Sequence, residues 1–213
     1  MLANKPYVIG LTGGIGCGKS EAAKFLRTLG AAHLDADVIS RELTAAGGAA
    51  LPEIRRVFGE AAFNGDGTLD RASLGRLVFG NEPARRALEG IIHPLVQREM
   101  LTRMDAAAKA GAAVVILDVP LLFETGMDAL CDETWLISCD EDVQLERLME
   151  RDSMDEDQAK ARIASQMSLE DKTRRATVVI DNRGQLDRLY AQLSNQYQAL
   201  VKKVNRLDRE DDE

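Results

Sequence analysis

The chain has 213 residues, of which 45% are hydrophobic and 29% are charged; this suits a globular protein with one core domain and insertions, or two small domains. Its 35 acidic and 27 basic residues give a formal net charge of −8, which argues against nucleic acid or an anionic membrane surface as the main partner. With three cysteines in no paired spacing, no signal peptide and no membrane-length apolar run, we expect a cytoplasmic protein with reduced thiols.

Five short apolar runs predict β-strands separated by helical segments. These runs are Tyr7–Thr12, Ala32–Asp35, Ala113–Asp118, Thr134–Cys139 and Val178–Asp181. Strands that alternate with helices predict an α/β fold, here a parallel five-stranded sheet with helices on both faces. The runs lack an alternation of polar and apolar residues, as expected for strands that are covered on both faces.

A glycine-rich segment, residues 13–20, lies between the first strand and a helix-forming run. This segment matches the P-loop pattern G-x-x-x-x-G-K-[ST]. Backbone N–H groups in such a loop turn toward an anion, and the helix dipole adds positive charge. Lys19 would reach the β- and γ-phosphates of ATP, and the Ser20 hydroxyl would ligate Mg²⁺. The predicted ATP-binding residues here are Gly13, Gly14, Ile15, Gly16, Cys17, Gly18, Lys19, Ser20 and Glu21.

Cys17 lies inside this loop, beside Lys19 and a helix N-terminus. Both neighbours stabilise negative charge, so one hypothesis is that its thiol ionises readily and alkylates faster than Cys131 or Cys139 in the absence of Mg-ATP. The alternative, which we favour, is that Cys17 fills a slot that Ser or Ala would fill equally well.

Acidic residues end two of the predicted strands. Asp35 and Asp37 follow the second strand, and ligands in open α/β sheets bind beyond the carboxyl ends of strands. We predict that Asp37 is the catalytic base for an acceptor hydroxyl; alternatively, one of the pair caps the helix that starts near Val38. Asp118 ends the third strand, where a carboxylate would hold the Mg²⁺ shell through Ser20 or water, or would only hydrogen-bond a neighbouring loop.

Two connections are too long for simple crossovers. Residues 38–111 are predicted to form an inserted helical domain, in which Pro94 marks a kink or a break between two helices. Residues 141–176 are charged and helix-forming and predict a mobile lid. The predicted core then comprises residues 1–37, 112–140 and 177–207. Residues 208–213 form a polar tail, and the last helix has an apolar face of Leu186, Leu189, Tyr190, Leu193, Tyr197, Leu200 and Val204.

Arg147 and Arg151 lie one turn apart in the predicted lid. Two guanidinium groups on one helix face would grip a phosphoryl group during its transfer. The alternative is that they pair with Glu146 and Glu150 at the surface. Four further lid cations are weaker candidates for phosphate contact, namely Arg162, Lys172, Arg174 and Arg175.

Several segments, in this order, resemble those of the dephospho-coenzyme A kinase family from Tyr7 to about Tyr197. They are the P-loop segment 11–20 with Cys17 in place of the usual Ser, the D-A-D segment 35–37, Arg76 with Phe79, H-P-L at 93–95, P-L-L-F-E at 120–124, the lid segment 147–152, Gln166, and I-D-N at 180–182. The P-loop alone identifies only a superfamily, whereas the other segments are far more specific.

The resemblance implies ATP-dependent phosphorylation of the ribose 3′-hydroxyl of dephospho-CoA, with Mg²⁺. We expect the protein to be a monomer or a weak homo-oligomer. The resemblance implies that Asp181 and Asn182 lie near the adenine pocket. It also implies acceptor binding by Asp35, Arg76, His93, Pro120 and Leu121, although a lone His such as His93 is often structural. Another P-loop small-molecule or nucleoside monophosphate kinase is the alternative enzyme. A GTPase would carry an N-K-x-D segment after a late strand, which the sequence does not have.

Overall fold

The computed structural model describes residues 5–210. The strands are β1 (Tyr7–Gly13), β2 (Ala32–Asp35), β3 (Val114–Asp118), β4 (Glu133–Ser138) and β5 (Val178–Asp181). The helices are α1 (Lys19–Thr28), α2 (Ala36–Leu43), α3 (Leu51–Phe58), α4 (Arg71–Val78), α5 (Glu82–Lys109), α6 (Glu141–Asp152), α7 (Glu156–Ala164), α8 (Leu169–Arg175) and α9 (Leu186–Glu210). The predicted α/β class is confirmed, with each strand within two residues of its predicted bounds.

The strands form one sheet in the order β2-β3-β1-β4-β5, and β1 pairs in parallel with both β3 and β4. In the register of these pairs, Leu11 lies opposite Asp118 and Gly13 lies opposite Ile137. Because β1 lies in the middle of the sheet, the loop that leaves its carboxyl end begins between the ends of β3 and β4. This position is where open α/β sheets bind ligands.

The chain divides into two compact units, of which the first comprises the described residues up to Leu34 and from Met104 onward. Its core includes the buried residues Ile9, Leu11, Ile116 and Trp135 of the sheet. Helices α1 and α9 pack together, and the rings of Phe25 and Tyr190 stack with centroids 4.4 Å apart. The predicted apolar face of α9 is buried along most of its length, but Leu186 is 49% exposed because it begins the helix.

The second unit is Asp35–Arg103, whereas the predicted insertion comprised residues 38–111. It has a core of its own, which includes Ile54, Leu74 and Ile91. Helix α5 continues through Pro94, so the predicted break into two helices is wrong. The proline removes the hydrogen bond that residue 94 would donate to residue 90 and crowds the carbonyl of residue 90, but the apolar side chains of α5 pack on both sides of it.

The segment between β4 and β5 forms three short helices, α6, α7 and α8. The Asp155 side chain caps α7 by accepting a hydrogen bond from the Gln158 backbone N–H. Helix α9 extends to Glu210, beyond the predicted start of the polar tail, and residues 211–213 lie outside the described residues. No helix within residues 5–210 is long and apolar enough to cross a membrane.

Candidate active site

The P-loop joins the carboxyl end of β1 to the first residue of α1. Gly16 and Gly18 have φ angles of +77° and +88°, in the left-handed region that disfavours residues with a Cβ. A Cβ added to Gly18 would also lie 2.3 Å from the Asn182 Nδ2 atom. The backbone path and the close packing therefore both require glycine where the motif has it.

Side chains from three later segments hold this loop in shape. The amide of Gln144 on α6 donates to the Ile15 carbonyl over 2.7 Å, and the Ile15 N–H donates to Gln166 Oε1 over 3.1 Å. Asn182, just after β5, donates from Nδ2 to the Cys17 carbonyl over 2.8 Å. Gln144 was not predicted as a site residue, although its position three residues before Arg147 on one helix face was a usable signal. These bonds preorganise the loop and so reduce the entropy that nucleotide binding must remove.

Lys19 forms an ion pair with Asp118 across the β1–β3 pair. The ammonium group contacts Oδ1, and His33 Nε2 lies 3.1 Å from Oδ2. A carboxylate only accepts hydrogen bonds, so His33 must carry a proton on Nε2. Burial raises the pKa of the Asp118 carboxyl, but the hydrogen bond from His33 and the charge of Lys19 outweigh it and hold this pKa below its ordinary value. Asp118 is therefore an ionised group, 3% exposed, with two partners. The sequence did not identify His33 as a site residue.

The thiol of Cys17 is fully buried, so the hypothesis of a readily ionised, fast-alkylating thiol is wrong. Its Sγ atom lies 3.0 Å from the Cys139 Sγ atom. This contact and burial raise the pKa of the Cys17 thiol well above its ordinary value. Burial likewise raises the pKa of Cys131 to about 12. The local dipoles and Lys19 favour a thiolate, but tertiary packing outweighs them.

Arg147 lies against the P-loop. Its guanidinium donates to the Gly16 carbonyl over 3.4 Å and to the Asn182 backbone carbonyl over 3.2 Å. Arg151 is more exposed and forms an ion pair with Asp152 over 2.8 Å, and not with Glu146 or Glu150. Phosphate contact by either arginine stays a prediction.

The weaker lid candidates are held by acidic partners. Lys172 is fully buried and contacts Glu124 at 3.0 Å, and its contact with phosphate stays a prediction. The three arginines pair with neighbouring acids: Arg162 with Asp152, Arg174 with Asp171, and Arg175 with Asp128.

The predicted acceptor residues Pro120 and Leu121 follow β3. The Pro120 carbonyl accepts a hydrogen bond from Thr12 Oγ1 over 3.0 Å and one from Lys172 over 3.4 Å. These bonds fix the chain just after Asp118. The Leu121 side chain is 37% exposed and is available to a ligand.

The predicted adenine-side residues end β5. Asp181 pairs with Arg183 over 2.9 Å. Asn182 is buried, and its Oδ1 atom is the buried side-chain polar atom that lacks a hydrogen-bond partner within the described part of the chain. Such an atom is rare in folded proteins and fits a site that a ligand donor completes. Glu21, in the first turn of α1, accepts a 2.5 Å hydrogen bond from the Tyr190 hydroxyl.

The remaining predicted residues belong to the second unit. The Asp35 carboxylate caps α2, because it accepts hydrogen bonds from the backbone N–H groups of Asp37 and Val38 over 2.8 and 3.1 Å. Asp37 is exposed in the first turn of that helix. Arg76 donates to Ser73 Oγ over 2.7 Å near the end of α4, and His93 is exposed on α5. One of the two aspartates therefore is a helix cap, as the alternative prediction had it, and that residue is Asp35.

The side chains near the P-loop show whether the chain fits the predicted Mg²⁺ site. Within residues 5–210, no group of three or more His, Cys, Asp or Glu side chains could hold a metal ion. The Ser20 side chain lies in the first turn of α1 on an exposed residue, so its hydroxyl is accessible to an ion that arrives with a nucleotide. Magnesium sites of this kind use few protein ligands together with phosphate oxygens and water, and Ser20 fits that description.

Comparisons with known proteins identify the family of this chain. Residues 7–188 match the family model described as dephospho-CoA kinase. A dephospho-CoA kinase of Symbiobacterium thermophilum is 45% identical over 192 residues, which cover 90% of this chain and 80% of that protein. A crystal structure of a Thermus thermophilus protein has a TM-score of 0.78 at 34% identity, with 94% and 98% of the two chains covered. A dephospho-CoA kinase from Campylobacter jejuni has a TM-score of 0.71 at 27% identity, covering 92% and 98%. The chain belongs to the dephospho-CoA kinase family.

Proposed function

We propose that the protein transfers the γ-phosphoryl group of ATP to the ribose 3′-hydroxyl of dephospho-CoA and so forms CoA and ADP. The observation that carries this proposal is the braced P-loop with its Lys19–Asp118 ion pair, in a chain that belongs to this kinase family. The P-loop indicates where the phosphate groups of ATP bind, and membership of the family indicates that the acceptor is dephospho-CoA.

Lys19 exchanges partners when ATP binds. Asp118 carries one negative charge, whereas the triphosphate carries several, so the nucleotide attracts the ammonium group more strongly. The exchange does not leave Asp118 alone, because His33 still contacts the other oxygen at 3.1 Å. A buried carboxylate without any partner would cost much more. Lys19 then neutralises charge on the phosphates as the γ-phosphoryl group moves.

Asp37 orients and deprotonates the acceptor hydroxyl, since it is an exposed carboxylate just after β2. Asp35 positions it by capping the helix that carries it. Arg147 and Arg151 of the lid add positive charge around the transferred group, and closure of the lid excludes water that would otherwise hydrolyse ATP. Arg76, His93, Pro120 and Leu121 bind the acceptor, and Asp181 and Asn182 bind the ATP adenine side.

Ser20 is the residue that would hold Mg²⁺ directly. Asp118 would act beyond it, through water: its Oδ2 atom stays in contact with His33, and its Oδ1 atom is released by Lys19 when ATP binds. When bound, the ion neutralises charge on the β- and γ-phosphates. We further propose that the enzyme works in the cytoplasm as a monomer or weak homo-oligomer. The net charge of −8 also supports the absence of a nucleic acid or membrane partner.

An acceptor panel tests the proposed reaction. ADP release is measured with ATP and dephospho-CoA, with nucleoside monophosphates, and with pantothenate, and the product is compared with CoA by mass and by its use in an acetyl-transfer assay. Of the acceptors in the panel, we expect turnover only with dephospho-CoA. Its product should have the mass of CoA and should take the place of CoA in the acetyl-transfer assay. Turnover of a nucleoside monophosphate without turnover of dephospho-CoA would establish the alternative kinase. Lys19→Met serves as the matched inactive control in every arm.

A further inference from the structure

Two thiols face each other beneath the P-loop. Cys17 is a P-loop residue, and Cys139 is the first residue after β4, 122 positions later. Their Sγ atoms are 3.0 Å apart and both cysteines are free. A disulfide bond is about 2.05 Å long, so the sulfurs need to approach by only about 1 Å.

We propose that Cys17 and Cys139 form a reversible disulfide when a hydroperoxide reaches the reduced enzyme, and that this disulfide weakens nucleotide binding by the P-loop. The site is a pair, so neither cysteine needs a residue from elsewhere to complete the bond. The assigned activity does not use this chemistry, and the inference does not depend on the identity of the acceptor.

The surroundings of the pair decide which sulfur reacts first. Cys17 is fully buried, whereas Cys139 keeps 6% exposure. The hydrogen bond with Cys17 lowers the pKa of the Cys139 thiol; burial opposes this shift, and the nearby Arg147 guanidinium adds to it. Asp140 and Asp181 raise this pKa by smaller amounts. Because thiolates are the nucleophiles in thiol oxidation, Cys139 is the attacking group.

The oxidation has two balanced steps. The Cys139 thiolate attacks one oxygen of hydrogen peroxide, the O–O bond breaks, and the products are a sulfenic acid and hydroxide. The Cys17 sulfur then attacks the sulfenic sulfur, the S–O bond breaks, and hydroxide leaves with the thiol proton as water. Two thiols lose two electrons and two protons in total, and the peroxide becomes two molecules of water.

The bond would displace a segment that positions the phosphate groups. The Cys17 N–H donates to the Gly14 carbonyl over 3.0 Å, and its own carbonyl accepts from Asn182 over 2.8 Å. Pulling its side chain toward β4 therefore strains these backbone bonds, and Lys19 is only two residues further on. A displacement of about 1 Å in a reacting geometry can cost about 10²-fold in rate.

The test compares wild type with Cys139→Ser and with Cys131→Ser as the matched control. Each protein is treated with hydrogen peroxide, blocked with N-ethylmaleimide, digested and mapped by mass spectrometry. ATP affinity is measured by titration calorimetry and turnover by ADP release. We expect a 17–139 cross-link, weaker ATP binding and about 10²-fold lower kcat/KM in oxidised wild type and Cys131→Ser. Dithiothreitol should reverse all three effects.

Cys139→Ser should keep its basal turnover and ATP affinity after oxidation, and Cys139→Ala replaces it if the serine variant does not fold. Three results would overturn the proposal: oxidation of Cys139 to a sulfinic acid without a cross-link, a cross-link that leaves ATP affinity unchanged, or loss of ATP affinity in the oxidised Cys139 variants. The cross-link and the calorimetry need no acceptor, so an inactive acceptor assay in the reduced enzyme would count against the proposed function alone.

Discussion

His33 donates a hydrogen bond from Nε2 to Oδ2 of Asp118 over 3.1 Å, although 85 residues separate the two in the chain. The other carboxylate oxygen of Asp118 contacts Lys19. One buried carboxylate therefore connects the P-loop lysine to a side chain of β2. His33 is a positioning residue in this arrangement, because it acts on Lys19 only through Asp118.

Replacing His33 with Phe should leave one buried oxygen of Asp118 without a partner. We expect the free energy of unfolding to fall by about 1–3 kcal/mol. We also expect the KM for ATP to rise, because Asp118 then depends on Lys19 alone and releases it less readily. His33→Gln keeps an N–H donor, so its free energy of unfolding and its KM for ATP should both lie close to the wild-type values. Urea unfolding and steady-state kinetics on the two variants provide the measurement; equal KM values for ATP in His33→Phe and wild type would show that His33 is only structural.

The lowered pKa of Asp118 predicts the direction of an acid effect. The folded-state pKa lies below the unfolded value of about 3.9, so ionisation of this group contributes stability that is fully present above that value and is lost as the pH falls through the folded pKa. Asp118→Asn lacks this contribution. Its deficit in unfolding free energy relative to wild type should be full at pH 5 and should shrink toward pH 3. Urea unfolding at several pH values measures the deficit, and a deficit that grows on acidification would contradict the assignment.

Lys19→Met should separate catalysis from stability. Loss of the ammonium should lower kcat by about 10²–10³-fold, as for other groups that stabilise transition-state charge. It should also destabilise the fold, because Asp118 loses its positive partner. In Lys19→Met/Asp118→Asn, stability should recover while activity stays low. Thermal melts and kinetics on both variants test this. If the double variant is no more stable than Lys19→Met, the ion pair does not contribute to folding.

The P-loop and the strands around it were predictable because their signals are local. The motif fixes glycine positions over eight residues, and the apolar runs give the strand type directly. The buried face of α9 follows from short-range periodicity in the same way. The core fold was therefore predictable before any long-range contact was known.

Contacts between distant segments were not predictable. The His33–Asp118 bond depends on the sheet order, which places β2 beside β3 although α2 to α5 lie between them in the chain. The hypothesis of a readily ionised Cys17 thiol, which we did not favour, fails for the same reason: its neighbours in sequence indicate a thiolate, but Cys139 and burial determine its state. Leu186 was predicted to lie on the buried apolar face of α9, because periodicity does not reveal where burial begins along a helix.

Asp37→Asn should lower kcat by about 10²-fold or more, which is a typical loss for a general base. ATP affinity should change much less, since Asp37 acts on the acceptor. Asp35→Asn is the matched control, because Asn caps a helix about as well as Asp and keeps the two bonds that hold α2. Kinetics and ATP titrations distinguish them. A larger loss of kcat in Asp35→Asn would assign the base to Asp35.

Arg147→Ala and Arg151→Ala should each reduce kcat more than they raise the KM for dephospho-CoA. A contact made mainly to the group in transfer stabilises the transition state more than the ground state. The two variants should differ toward ATP. Arg147 also donates to the Gly16 carbonyl of the P-loop, so its loss should raise the KM for ATP. Arg151 pairs only with Asp152 at the surface among its described ion pairs, so its loss should not.

Arg174→Ala is the control for this comparison, because Arg174 pairs with Asp171 on α8 and, although the sequence made it a weaker candidate for phosphate contact, it has no role in the proposed reaction. It should behave like wild type in kcat and in both KM values. Steady-state kinetics with each substrate varied in turn provide the measurement. If Arg147→Ala and Arg151→Ala both matched the Arg174 control, the two arginines would serve surface and loop packing, and the positive charge at the phosphoryl group would have to come from Lys19 and the bound Mg²⁺.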